Sequence, residues 1–157
     1  MGIEIERKFL VNKDAWSKIK ANGILYRQGY LLREEGKSIR VRIVEGDKGY
    51  LTIKGKTNRF SRPEYEYPLP AQDAEELLQR FCSAVIEKKR YKITVNNKQW
   101  EVDEFLEDNE GLLVAELELS DENEAFQLPD WIEKEVTNDT RYYNSQLSVN
   151  PFKNWTL

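Results

Sequence analysis

Through most of this chain, charged and apolar side chains alternate at a period of two. The charges that share a face come largely in like-signed pairs. In EIERKFL (residues 4–10), Glu4, Glu6 and Lys8 fall on one face, with Ile3, Ile5, Arg7 and Phe9 on the other. SIRVRIVEG (38–46) sets Ile39, Val41 and Ile43 against Arg40 and Arg42. YLTIKGK (50–56) sets Leu51 and Ile53 opposite Thr52, Lys54 and Lys56, and RPEYEYPL (62–69) sets Tyr65 and Tyr67 against Arg62, Glu64 and Glu66. In KKRYKITV (88–95), Tyr91, Ile93 and Val95 oppose Lys88, Arg90, Lys92 and Thr94. WEVDEF (100–105) puts Asp103 on the face of Glu101 and Phe105, and VAELELS (114–120) puts Ala115, Leu117 and Leu119 opposite Glu116 and Glu118. Period two is the repeat of a strand, whose successive side chains point to opposite faces.

Turn signals separate these segments: EGDKG at 45–49, NNK at 96–98 and DNEG at 108–111. The first of them predicts an antiparallel hairpin between the strands on either side. Residues 71–85 (AQDAEELLQRFCSAV) carry Ala74, Leu77, Leu78, Phe81 and Val85 at helical spacing. Weaker helical stretches lie near residues 13–21 (Trp16, Ile19) and after Asp139 and Thr140 (Tyr142, Tyr143, Leu147). The expectation is seven or eight strands and about three helices. Regular strand spacing favours an antiparallel barrel or sandwich. A length of 157 residues suits one domain, 1–157, with a sizeable core.

A charged sheet face is most simply a solvated one. Two features point elsewhere. Like charges close together on a sheet repel, yet Glu4 and Glu6, Arg40 and Arg42, Glu64 and Glu66, Lys88 and Arg90, and Glu116 and Glu118 each share a face. The acids, Asp103 among them, also fall on the same side as Lys8, Arg40, Arg42, Lys54, Lys88 and Arg90. If the sheet closes into a barrel, this side is its lumen and the helices cover an apolar exterior. A lumen lined by both signs suits a polyanion chelated to a divalent cation. Arg and Lys hold phosphate oxygens, and paired carboxylates hold Mg²⁺ or Mn²⁺. No GxxxxGK[ST] or GxGxxG loop is present, so phosphate would be held by side chains.

Composition narrows the chemistry. There is no histidine, and Cys82 is the single cysteine, read as a small core residue on the helix over 71–85. Ser-His-Asp, Cys-His and zinc-thiolate chemistries are therefore excluded. The remaining tools are carboxylates, Lys, Arg, Tyr and a hard metal held by oxygen. A net charge of −4 argues against a basic nucleic-acid binder. The apolar runs are far too short to span a bilayer, and the N-terminus lacks the apolar core of a signal peptide. A soluble cytoplasmic protein is the expectation, with no membrane partner. Trp16, Trp100, Trp131 and Trp155 read as packing residues.

The opening EIERKFL resembles the ExExK signature of the CYTH superfamily, the triphosphate tunnel metalloenzymes. IRVR, LTIKG, RPEYEY, EKKRY, WEVDEF, LLVAELEL and EVTNDTRYYN follow in that family's order, so the resemblance runs from Glu4 to about Asn150. It is most similar to the short bacterial members that hydrolyse inorganic tripolyphosphate. The resemblance implies an α+β fold: a closed antiparallel eight-stranded barrel forming a charged tunnel, with helices packed outside. It implies that Glu4, Glu6, Glu116 and Glu118 serve a metal, Mg²⁺ or Mn²⁺, with Asp103, Glu64 and Glu66 nearby. Lys8, Arg40, Arg42, Lys54, Lys88 and Arg90 would grip phosphates. Lys8 and Tyr30 match a pair proposed to act on the attacking water. Lys134, Glu135 and Arg141 fall in the family's C-terminal segment. Two departures stand at loop-like places, Glu133 before the KEVT and Glu107 after DEFL, where the family often has Gly. The implied reaction is metal-dependent hydrolysis of tripolyphosphate to pyrophosphate and phosphate. Adenylyl cyclase, thiamine triphosphatase or nucleoside triphosphatase activity, and a non-catalytic polyphosphate-binding module, stay open, as does a homodimer.

Overall fold

The computed structural model describes residues 2–19 and 21–156. Nine strands form one antiparallel sheet: β1 (Gly2–Val11), β2 (Ile24–Glu34), β3 (Lys37–Val44), β4 (Lys48–Gly55), β5 (Ser61–Leu69), β6 (Ile86–Val95), β7 (Lys98–Phe105), β8 (Leu113–Glu118) and β9 (Ile132–Glu135). The order is β5-β4-β3-β2-β6-β7-β8-β1-β9, and β5 pairs back onto β1. That pairing closes eight strands into a barrel. One edge of β1 takes β8 along residues 6–10, and the other is shared between β5 at residues 2–5 and β9 at residues 9–11. Closure leaves no long open edge.

The period-two faces sort as expected. Val41, Ile43, Val102, Ala115 and Leu117 point out and are buried beneath other elements, while Glu4, Lys8, Arg40, Lys88, Arg90, Asp103 and Glu116 are buried with their charges inward. Two elements cover opposite sides of the exterior. The helix α2 (Ala71–Phe81) lays Ala74 and Leu78 on Val41 and Ile43. The short helix α1 (Lys13–Ser17) inserts Trp16 into a cluster with Phe9, Tyr91, Trp100, Val102 and Trp131. Trp16, Trp100 and Trp131 are buried, whereas Trp155 packs near the surface on Tyr142 and Phe152.

The lumen does not run clear through. At one end the inward positions carry Ile86, Phe105 and Val114, which pack with Leu112 and with Leu147 of α3 (Asn144–Leu147). Tyr142, Phe152 and Trp155 cover this plug. The chain after β9 thus folds over one mouth of the barrel.

Several element boundaries differ from the sequence reading. The helix expected over 71–85 stops at Phe81, and Cys82 is extended (φ −105°, ψ 126°), half-buried rather than on a helix face. Here the chain turns back to enter β6, passing so close to Gly29 that a Cβ there would lie 2.8 Å from Cys82. Phe81 and Val85 are consequently exposed, at 65% and 39%. The helix expected near 13–21 is one short turn and a half, capped by the Asn12 side chain, with Ile19 outside it; Lys20 lies outside the described residues. The C-terminal helical stretch divides into a 3₁₀ turn at Thr140–Tyr142 and α3. No helix among the described residues is long and apolar enough to cross a membrane.

Candidate active site

A cavity of about 150 Å³ occupies the open part of the lumen, lined by seven acidic and seven basic side chains. The acids are Glu4, Glu6, Glu64, Glu66, Glu101, Glu116 and Glu118; the bases are Lys8, Arg40, Arg42, Lys54, Arg62, Lys88 and Arg90. Around the ring they segregate. Every acid comes from the contiguous strands β7, β8, β1 and β5, and the bases come from β4, β3 and β6, apart from Lys8 on β1 and Arg62 on β5. Strand order alone therefore builds an acidic wall facing a basic one.

At the two seams the walls neutralise each other. Lys54 Nζ donates to both oxygens of Glu4, at 3.1 and 2.9 Å, and lies 3.4 Å from Glu64. Arg62 Nε lies 3.3 Å from Glu4. At the other seam Arg90 donates to Asp103 through Nε at 2.8 Å and through Nη2 at 2.9 Å, and Lys88 Nζ stands 2.8 Å from the same carboxylate. Asp103 is fully buried with both oxygens engaged. Burial, Arg90 and Arg42 draw Lys88 down to about 7 against the pull of Asp103. Asn144 Oδ1 accepts from Lys88 and from Gln28, each at 3.1 Å, so α3 is stitched to the deep end of the cavity.

Away from the seams the acids press on one another, and among the described residues no cation comes closer than 3.8 Å to Glu6 or Glu116. Burial raises the Glu6 carboxyl well above its ordinary range, reinforced by Glu116 and Glu4. Burial works to raise Glu116 too, but Lys8, Arg90 and a hydrogen bond from Glu6 hold it well below. Glu64 likewise donates to Glu4, which pushes Glu64 up to about 7. Glu4 is held low, its burial outweighed by Lys54, that hydrogen bond and Arg62. Glu118 is raised by burial and by Glu4. Glu66 accepts from Thr52 at 2.9 Å.

In the middle of the basic wall, Arg40 and Arg42 have no acidic partner within ion-pair distance among the described residues. Arg40 reaches only the Thr52 hydroxyl, at 3.3 Å, and its buried Nε has no partner at all. Arg42 Nε donates to Gln28 at 3.2 Å. Burial and its neighbours Arg40 and Arg90 lower Arg42 to about 10. Buried donors left unmatched are costly, and an anion with several acceptor oxygens would match them.

Lys8 is buried, 3.8 Å from Glu6, with its ammonium 5.1 Å from the centre of the Tyr143 ring. Burial disfavours its charge, but Glu116 and Glu6 raise it. Tyr30 lines the same cavity, and among the described residues no hydrogen bond joins the two. The other charged residues noted in the sequence fall outside. Lys56 follows the end of β4 and Lys92 is exposed. Lys134 and Glu135 lie on the outside, Glu135 pairing with Arg7, and Arg141 pairs with Asp139. Arg62, Thr52, Gln28, Tyr143 and Asn144 belong to the site and were absent from the candidates. Arg62 and Thr52 share the parity of Glu64 and Lys54, which would have found them. Gln28 lies in β2, which has no clean alternation, and Tyr143 and Asn144 come from the irregular C-terminal segment.

The donor set is all oxygen, which suits a hard divalent cation. The two close carboxyl pairs, Glu6 with Glu116 and Glu4 with Glu64, suit such an ion, since a metal competes with protons for carboxylates. Among the described residues no three acids already stand together as a preformed metal site. Lys54 and Arg62 occupy Glu4, so coordination would require their displacement or oxygens from a bound anion.

Comparison with known proteins gives a consistent picture. The CYTH domain model matches residues 2–149. An inorganic triphosphatase of Acetivibrio thermocellus is 54% identical over 156 residues, covering 99% of each chain. An inorganic triphosphatase of Nitrosomonas europaea is 34% identical over 150 residues, covering 93% of this chain and 97% of its own. A crystal structure of an inorganic triphosphatase superposes with a TM-score of 0.65 at 30% identity, over 93% of this chain and 97% of that one.

Proposed function

This chain belongs to the CYTH domain family, and from that premise we propose that it hydrolyses inorganic tripolyphosphate to pyrophosphate and orthophosphate with a divalent cation. The observation that carries the reading is the pairless state of Arg40 and Arg42, with a buried guanidinium Nε unsatisfied inside a closed charged lumen. A compact polyanion supplies the missing acceptors. The names of the two relatives agree with it. The lining is charged or polar almost throughout, which fits an inorganic chain better than a nucleoside.

In this reading Arg40 and Arg42 hold the phosphates from the basic wall, with Lys88 and Arg90 beside them. Asp103 keeps Lys88 and Arg90 in place. Arrival of the phosphates would release Lys54 and Arg62 from Glu4. Glu4, Glu6, Glu64, Glu116 and Glu118, with Glu66 at the edge, would hold Mg²⁺ or Mn²⁺. That ion, when bound, offsets charge on the phosphate oxygens. Phosphoryl transfer asks chiefly for positioning and charge compensation. Lys8 and Tyr30 orient the attacking water, with no histidine available for the task.

Phosphate release from tripolyphosphate, ATP and thiamine triphosphate, each with and without Mg²⁺ or Mn²⁺, tests the reading. Metal-dependent release from tripolyphosphate, with far slower release from the other two, is expected. Faster turnover of ATP or thiamine triphosphate would reassign the substrate. Binding of tripolyphosphate without any release would make the chain a polyphosphate-binding module.

A further inference from the structure

Tyr26 has no place in the scheme above. It sits on β2, the strand between β3 and β6, and shares the inward parity of Gln28 and Tyr30. It is 7% exposed. Its Cα register places it opposite Val44 on one side and Lys88 on the other, so Arg42 and Arg90 are its diagonal neighbours on the two flanking strands. Both guanidinium groups lean onto its ring. The Arg42 Cζ lies 5.0 Å from the ring centroid and the Arg90 Cζ 4.9 Å.

We infer that Tyr26 is a positioning residue for the substrate, a π-shelf that holds Arg42 beside Arg90 for a triphosphate without consuming the hydrogen-bond donors of Arg42. Two buried guanidinium groups repel, and each long side chain has many rotamers to lose. A carboxylate would cure the repulsion, but it would occupy the N–H groups, as Asp103 occupies Nε and Nη2 of Arg90. An aromatic face attracts the cation through its quadrupole and leaves the N–H edges free. Arg42 fits this description: among the described residues its one side-chain hydrogen bond is Nε to Gln28, which leaves its terminal nitrogens for phosphate oxygens. Holding the cation in its bound arrangement before the ligand arrives lowers the ordering cost of binding.

The inference rests on the triphosphate reading, and the experiment separates the two. Wild type, Tyr26→Phe, Tyr26→Trp and Tyr26→Leu are compared for kcat and KM on tripolyphosphate with saturating Mg²⁺, alongside the melting temperature without ligand. Tyr26→Leu is expected to raise KM by about 10-fold, the equilibrium equivalent of one desolvated cation–π contact, with kcat changed less than about threefold. Tyr26→Phe and Tyr26→Trp keep the face and restore KM to within about twofold on the same ground. A wild type that neither binds nor hydrolyses tripolyphosphate removes the substrate reading itself. An active wild type with an unchanged KM in Tyr26→Leu overturns the shelf, as does a Tyr26→Phe variant as impaired as Tyr26→Leu. If Tyr26→Leu does not fold, stepwise ring fluorination of phenylalanine at position 26 decides the matter. It drains the face at nearly constant shape, so KM rises with each fluorine if the shelf acts and stays flat if the ring only packs.

Discussion

The β8–β1 wall and the β3 wall face each other across one cavity, and each buries like charges side by side. They settle the repulsion by different chemistry. Within each close pair the two carboxyls are driven apart: Glu6 and Glu64 are raised, while Glu116 and Glu4 are lowered. A carboxyl can shed its charge by binding a proton near neutral pH once burial and a like neighbour press on it. Arginine has no such route. Even lowered to about 10, Arg42 stays charged at neutral pH. The β3 wall therefore dresses its cations in weak partners, the Thr52 hydroxyl, the Gln28 amide and the Tyr26 ring. In the proposed function one wall would exchange protons for a cation, and the other weak dipoles for an anion.

The largest expected effect breaks the acidic side of this comparison. If Glu6 is neutral in the metal-free protein, Glu6→Gln is a near-perfect mimic of it. The melting temperature without metal should stay within about 2 °C, less than about 1 kcal/mol for a chain of this size. Turnover of tripolyphosphate should fall by about 10³-fold, the upper scale for loss of one electrostatic contact to the reacting centre. The thermal stabilisation by Mg²⁺ with tripolyphosphate should shrink as well. Full activity in saturating Mg²⁺ would remove Glu6 from the metal's ligands.

Lys8 is the cation embedded in the acidic wall, and the next effect concerns it. Lys8→Ala should lower kcat by roughly 10²-fold, the scale for a lost proton-transfer or water-orienting group. Tyr30→Phe should lower it too, and the double variant should cost little more than the worse single one. A silent Tyr30→Phe with a Lys8→Ala that only raises KM would make Lys8 a phosphate clamp on the wrong wall.

On the basic wall, Arg42→Gln should act through affinity. KM should rise by about 10-fold to 100-fold, as for a lost charge-assisted hydrogen bond, while the ligand-free protein becomes more stable because Arg40 and Arg90 lose a repelling neighbour. A drop in ligand-free melting temperature would show that Arg42 is structural.

How much of this was legible in the sequence follows from the same contrast. Period-two segments revealed both walls, because a lumen face and an exterior face cannot exchange without a one-residue slip. Glu4, Glu6, Arg40, Arg42, Lys54, Glu64, Glu66, Lys88, Arg90, Glu116 and Glu118 all line the cavity as the alternation implied. What alternation cannot encode is pairing across the barrel. Asp103 read as one more acid, yet the register opposite Arg90 saturates it. β2 escaped because it runs apolar on both faces near Tyr30–Leu32 and carries a register shift there. Tyr26 and Gln28 went unnoticed with it. The plug of Ile86, Phe105, Val114 and Leu147 was hidden because its inward residues look like any apolar strand end.

The smallest predicted effect is a slope with pH, and it measures how far the acidic wall is proton-locked. Glu64 sits at about 7 in the folded protein against an ordinary 4.5. Below 4.5 the group is protonated folded or unfolded, so any stability linked to it is fully present there. Between 4.5 and 7 the folded state retains a proton that the unfolded chain has released, so stability falls as pH rises through this window. Glu6 and Glu118, both raised, act in the same direction. Glu4 and Glu116 are lowered, so their opposite contribution is lost only as pH falls below the ordinary carboxylate range. Lys88, drawn from 10.5 to about 7, adds stability only as pH climbs above 7. The metal-free melting temperature should therefore decline gently from pH 5 to pH 7, and Glu64→Gln should flatten that decline. The increment produced by Mg²⁺ should run the other way, growing with pH through 7, because the ion has fewer carboxyl protons to expel. A Mg²⁺ increment that is independent of pH between 6 and 8 would mean that the ion does not bind at these carboxyl pairs. The two walls would then differ only in sign, not in how they wait for their ligands.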